Sequence, residues 1–176
     1  MLFWMTEFLK KCYDNVVIKF IQHTTEANVV DEETFFHKGE SGGTYCWSAF
    51  EKANYLIETE FPIDEWNVYC VYLSDGDDWD TDKTCQSIDA LLKKKINMLG
   101  YVEITPEPTI AYFGVGSGTL MKAIRKKWIF QTSTSTVGGA ELYKNEEKRF
   151  LISVVKNKDH IYQALKHMLF EKRVKT

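Results

Sequence analysis

Asp75 closes an uninterrupted apolar run, Val68-Tyr69-Cys70-Val71-Tyr72-Leu73, and Thr44 follows the glycine pair Gly42-Gly43. A carboxylate at the end of a strand and a hydroxyl where a helix opens are hard oxygen donors of the kind Mg²⁺ or Mn²⁺ takes. The plain alternative makes Asp75-Gly76 an ordinary turn and Thr44 a helix cap, the usual duties of these residue types. Asp75-Gly76-Asp77 also matches the Asp-x-Asp of aspartate-nucleophile phosphatases, where the first carboxylate attacks phosphorus and the second protonates the leaving group. Trp79 stands where that motif places Thr or Val, and no acidic pair is obvious downstream. Asp78, Asp80, Asp82 and Asp89 have the spacing of a calcium loop, but Lys83 takes the position where glycine permits the sharp turn.

Other chemistry-bearing residues are more dispersed. His23 adjoins the predicted site edge, although a lone histidine at a strand end is more often structural than a ligand. His160 and His167, on a C-terminal amphipathic segment, are expected to face solvent. Gly114-x-Gly116-x-Gly118 leads through Thr119 into a basic helix and could cradle a phosphate, but it lacks the rest of a dinucleotide fingerprint and is expected to be a loop. Lys122, Arg125, Lys126 and Lys127 read as a solvated helix face. Trp66, Trp79 and Trp128 have core packing as their commoner fate and partner anchoring as the alternative. No Ser/His/Asp or Cys/His grouping is evident for nucleophilic catalysis.

These residues need a scaffold, and hydrophobic spacing outlines one. Met1, Met5, Phe8, Leu9 and Cys12 share one helical face, so a helix opens the chain. Val16 to Ile21 reads as a strand with an extended partner at Ala27 to Val30, and Asp31 caps a short turn through Phe36. Cys46, Phe50, Ala53, Leu56 and Ile57 stripe the next helix, which Pro62 ends. Residues 68–73 have the composition of a parallel strand covered on both faces. Ile88, Leu91, Leu92 and Ile96 predict a helix and Leu99 to Ile104 a strand; a basic helix at Leu120 to Lys127 follows, then a polar loop at 132–139. Phe150 to Val155 predicts a last strand, and Ile161, Ala164, Leu165, Met168 and Leu169 a last helix. Strand and helix alternate, which predicts an α/β sandwich with a mainly parallel sheet of strands 16–21, 68–73, 99–104 and 150–155. Ligands of such sheets sit beyond the carboxyl ends of the strands, which points to the loops at 41–44 and 74–82.

Composition narrows the function classes. With 176 residues, 44% hydrophobic and 27% charged, a single packed domain over residues 1–176 is expected. A net charge of -3 argues against a general nucleic-acid binder. Cys12, Cys46, Cys70 and Cys85 form no C-x-x-C pair and read as reduced cytoplasmic thiols. Met1-Leu2-Phe3-Trp4-Met5 lacks a basic n-region and no apolar run reaches a membrane span, so neither export nor a membrane is expected.

The stretches FIQHTTEANVVDEETFFHKGESGGT and DEWNVYCVYLSDGDDWDTDKTCQ resemble the sporulation-associated YhbH/YeaH family of von Willebrand factor A-like proteins. The likeness is close from Leu2 to about Glu103 and looser in TLMKAI and DHIYQALKHMLFEK; residues 106–118 and 131–139 depart from it. It implies a von Willebrand factor A-like, Rossmann-like three-layer sandwich with a metal-ion-dependent adhesion site, a Mg²⁺ or Mn²⁺ cradle that bridges to a partner's carboxylate. Thr44 and Asp75 match two of its three pieces, and Ser41, Asp77 and His23 fall on the rim. The third piece, an Asp-x-Ser-x-Ser loop after the first strand, is missing, so the resemblance implies an amino-terminally truncated domain lacking its first central strand. Two apolar sheet edges would then invite self-association, and cation binding is expected to be weak or absent. The implied function is a non-enzymatic, cytoplasmic bacterial interaction module of sporulation or stress response, with a PrkA-type serine kinase and a SpoVR-type protein as partners. A metal-dependent phosphatase using Asp75 and Asp77 is the alternative.

Overall fold

The computed structural model describes residues 1–37, 44–105, 118–132 and 139–170. Ser41, Gly114 and Gly116 lie outside the described residues. The elements run α1 (Leu2–Cys12), β1 (Phe20–His23), β2 (Ala27–Val30), α2 (Glu32–His37), α3 (Cys46–Thr59), β3 (Tyr69–Ser74), α4 (Thr81–Lys93) and β4 (Met98–Ile104), continuing with α5 (Thr119–Lys127), β5 (Gln131–Thr132), β6 (Glu141–Asn145), β7 (Phe150–Val155) and α6 (Asp159–Phe170).

A five-stranded mixed sheet in the order β3-β4-β7-β6-β5 forms the centre. β3, β4 and β7 are parallel, while β6 and β5 add antiparallel. Alternation along the parallel strands sends two residue sets to opposite faces. Tyr72, Leu99, Tyr101, Phe150 and Ile152 pack with Phe50 of α3, Ile88 and Leu91 of α4 and Leu120 and Ile124 of α5. On the other face, Met98, Val102, Leu151 and Val155 meet Ala164 and Met168 of α6. Gly100 matters on that face, since a side chain there would collide with the Met168 sulfur.

Several expectations change in three dimensions. The segment expected as a strand at 16–21 pairs only from Phe20 onward, and with β2 alone in a separate two-stranded sheet. Short antiparallel hairpins close with little loop entropy, so this local pairing forms without the main sheet. The sheet is mixed and not mainly parallel, because β5 and β6, in and after the expected polar loop, extend it past β7. Their alternation is masked by Lys144, Tyr143 and Glu141, side chains that stay partly exposed on an outer strand. His160 and His167 do not face solvent: they are 6% and 3% exposed. His167 Nδ1 lies 3.1 Å from Ser153 Oγ, and His160 Nδ1 accepts from the Lys156 amide at 3.3 Å, so polar partners on β7 and its exit loop draw both rings inward. The acids of the suspected calcium loop are also dispersed. Asp80 caps α4 by accepting from Lys83 N at 3.0 Å, and Asp89 pairs with Lys93 one helical turn on. Trp128 is in the core, whereas Trp79 is 66% exposed.

Candidate functional site

Three chain segments meet at the carboxyl end of β3. Tyr45 N donates to Thr24 O at 3.0 Å, fixing the exit of β1 against the entry of α3. Trp79 N donates to Thr44 O at 3.1 Å, fixing that entry against the loop after β3. The segments carrying His23, Thr44 and the Asp75 to Trp79 loop are therefore joined by main-chain bonds, which leaves little freedom in their relative placement.

Thr44 is not the cap of α3. The N-cap position is Tyr45, which makes no side-chain cap bond, and the first helical amide, Cys46 N, instead donates to Asp78 Oδ1 at 3.2 Å. A carboxylate from a distant loop thus satisfies an amide that the helix cannot, next to the positive end of its dipole. Asp78 is 8% exposed, and its other oxygen, Oδ2, is buried without a hydrogen bond. Asp75 and Asp77 are exposed at the loop tip, where the Asp77 amide donates to Asp75 Oδ1 at 3.2 Å.

The loop is held from below by a residue that motif reading passes over. Glu103 of β4 is fully buried and accepts from Tyr101 Oη at 3.0 Å and from Gly118 N at 3.1 Å. Burial pushes its carboxyl above the usual range, opposed first by the Gly118 amide and then by the two nearby hydroxyls. Gly76 has φ +92, and a Cβ there would come within 2.5 Å of Glu103 Oε2. The glycine after Asp75 is therefore required by both backbone angle and close approach. Leu120 N and Thr119 Oγ1 both donate to Gly76 O, docking the start of α5 onto the same turn. A lone acid inside the apolar run Leu99 to Ile104 is the sequence signal that could have flagged Glu103.

On the hairpin side, His23 Nε2 lies 3.0 Å from Tyr72 Oη, and its Nδ1 is buried without a hydrogen bond. Burial lowers its pKa, so the ring is neutral at physiological pH. Tyr45 packs edge-on to Trp79 at 5.4 Å and tilted to Trp47 at 5.8 Å, forming an aromatic wall beside the acidic loop.

Thr44, Asp75 and Asp77 present oxygen atoms that could hold a ligand, and two other groups are less available for chemistry. Burial raises the Cys46 thiol to about 12, so it is protonated and a poor nucleophile. Ser153 and His167 approach each other only in the core, both at or below 3% exposure. For a divalent ion, Thr44 supplies a hydroxyl and Asp75 a carboxylate. Among the described residues there is no group of three or more His, Cys, Asp or Glu side chains placed to hold a metal. A complete Mg²⁺ set needs six oxygens in near-octahedral array, of which Thr44 and Asp75 would supply two.

The family model described as a protein of unknown function, DUF444, matches residues 1–173. The chain belongs to the DUF444 family. A UPF0229 protein of Clostridium botulinum (strain Alaska E43 / Type E3) is 38% identical over 169 residues, covering 95% of this chain and 37% of that protein. A UPF0229 protein of Bacillus thuringiensis (strain Al Hakam) is 50% identical over 103 residues, 58% of this chain and 26% of that protein. The chain thus spans 37% and 26% of the lengths of these two relatives. No solved structure matches it. No helix among the described residues is long and apolar enough to cross a membrane.

Proposed function

We propose that this DUF444 chain is part of a von Willebrand factor A-like interaction module of the YhbH/YeaH type, which binds a partner and performs no covalent chemistry. The observation that carries this reading is the pair of main-chain bonds, Thr24 to Tyr45 and Thr44 to Trp79, that gather three loop segments at one end of the sheet. Helices on both faces of the sheet and polar loops beyond its carboxyl ends are the arrangement in which α/β proteins hold ligands. The role belongs to a cytoplasmic bacterial protein of sporulation or stress response, with a PrkA-type serine kinase and a SpoVR-type protein as partners.

Thr44 and Asp75 are the donors this chain would bring toward Mg²⁺ or Mn²⁺, and Ser41, Asp77 and His23 are the rim residues that the resemblance implies. Two donors do not compete well with the hydration shell of Mg²⁺, so the isolated chain binds it weakly or not at all. Calorimetric titration is expected to show no saturable heat below roughly millimolar ion; micromolar affinity, abolished in Asp75→Ala, would show that the donor set has been undercounted. Capture of both proposed partners by a full-length DUF444 relative, and its loss in the Asp75→Ala variant, tests the interaction role. Phosphatase chemistry through Asp75 and Asp77 requires hydrolysis of a phosphate ester by the parent chain that each single substitution removes; no hydrolysis by the parent ends that alternative.

A further inference from the structure

Three elements end together at the amino end of the parallel strands, opposite the Asp75 loop. α4 leads out through Lys93-Lys94-Lys95 toward β4, α5 closes on Arg125-Lys126-Lys127, and the β6–β7 turn closes on Lys148-Arg149. Leu99 N donates to Arg149 O at 3.0 Å and Asn145 Nδ2 to Ile129 O at 2.8 Å, which ties the turn to the start of β4 and to the residues after α5. The charges converge as well. Asp89 of α4 is held below the ordinary carboxylate range first by its bond with Lys93, and also by the charges of Lys127 and Lys148. Cations in the last turn of a helix offset its dipole, which accounts for part of this cluster. It does not account for Arg149, which lies on a turn, or for the backbone angles. Lys95 and Arg149 hold φ 58 and 54, the left-handed region that glycine enters without strain and a long side chain does not. Lys95, Lys126 and Arg149 are all exposed, and none forms an ion pair with a described residue.

Two further cations are already held in place. Arg125 stacks on the Tyr143 ring at 4.8 Å, and Lys127 lies over Trp128 at 4.9 Å while its ammonium donates to Cys85 O at 2.9 Å. Beside them Ile129 is 89% exposed, more than any other large apolar side chain among the described residues. A nucleic-acid backbone would use the cations and leave the isoleucine uncovered, and the net charge of -3 disfavours a long polyanion beyond this end of the molecule. An acidic stretch of polypeptide uses both features, because an apolar side chain between carboxylates covers Ile129 while the carboxylates meet the surrounding cations. We infer that this end of the molecule docks an acidic segment of a partner protein that carries an apolar residue among its carboxylates. Lys95, Lys126 and Arg149 supply the open charges, Arg125 and Lys127 the fixed ones, and Ile129 the apolar contact. The surface is separate from the Thr44 and Asp75 end and does not depend on cation binding there.

The test uses the full chain and labelled synthetic peptides followed by fluorescence anisotropy. A peptide of glutamates about a central leucine is expected to bind at least about tenfold tighter at low salt than the same peptide with glutamines, and the gap should narrow as salt rises. Exchanging its leucine for serine should weaken binding several-fold. Lys126→Glu combined with Arg149→Glu should cost at least about tenfold in affinity, whereas Lys11→Glu, the same kind of change on α1, should leave it unaltered. Lys95→Gly combined with Arg149→Gly separates docking from packing: it should raise the thermal midpoint by relieving the backbone and still weaken the acidic peptide. Equal affinity for the glutamine peptide, tighter binding of a single-stranded oligonucleotide of equal charge, insensitivity to the paired charge reversal, or a lowered midpoint in the glycine pair would each overturn the assignment.

Discussion

Glu103 carries the sharpest energetic consequence of any single side chain here. It is a carboxyl with no solvent exposure that ties β4 to the start of α5 and presses against the Gly76 turn. Removing it in Glu103→Ala would orphan the Gly118 amide and Tyr101 hydroxyl, each at a cost of about 1–3 kcal/mol, measurable as a lowered denaturation midpoint. Its raised pKa means that the folded state holds the proton more tightly than the unfolded chain does. The stability this contributes is full below the ordinary carboxylate range and is lost as pH rises through the raised value. Glu103→Gln cannot titrate, so wild-type stability relative to that variant should fall across that window; a difference independent of pH would contradict the assignment. His23 runs the other way, its lowered pKa giving stability that is present above the ordinary histidine range and lost as pH falls.

Between elements, the tightest fit is where α6 crosses β4. Met168 is 1% exposed and its sulfur occupies the space a side chain on residue 100 would need. Gly100→Ala should destabilise the protein by about 1–3 kcal/mol through overpacking. Met168→Ala opens a cavity at about 2–5 kcal/mol, yet the double variant should cost less than the two losses added, because each relieves the other. Strict additivity in denaturant titrations would mean that the helix does not rest on the strand as described. At α3 the dependence is reversed, with a helix start completed by Asp78 from the loop after β3. Shortening that loop should therefore disturb the helix as well as the carboxyl end of β3.

For the molecule as a whole, stability is unevenly spread. β4 and β7 lie inside the parallel part of the sheet and are almost wholly buried, whereas β1 and β2 form a separate hairpin with no buried residue. Local opening follows such differences in burial. Hydrogen exchange should therefore leave amides of residues 99–103 and 151–154 protected longest, with those of residues 20–30 exchanging orders of magnitude sooner. Comparable protection in the two regions would mean that the hairpin is part of the central sheet after all. The hairpin nevertheless meets the central sheet where His23 Nε2 lies 3.0 Å from the Tyr72 hydroxyl of β3.

What the amino-acid order determined by itself was local. Hydrophobic period placed α3, α4, β3, β4, β7 and α6 to within a few residues, because each needs a stripe or a run to bury. Asp75-Gly76 was legible as a turn or ligand because its position after an apolar run is a property of neighbours in sequence. Only the tertiary structure decided that β1 leaves the main sheet, that β6 and β5 join it, and that His160 and His167 turn inward. It also decided that Asp78, not Thr44, completes α3 and that Glu103 underpins the Asp75 turn. Each of these depends on a partner far away in the chain, and burial or a hydrogen bond between distant residues leaves no periodicity to read.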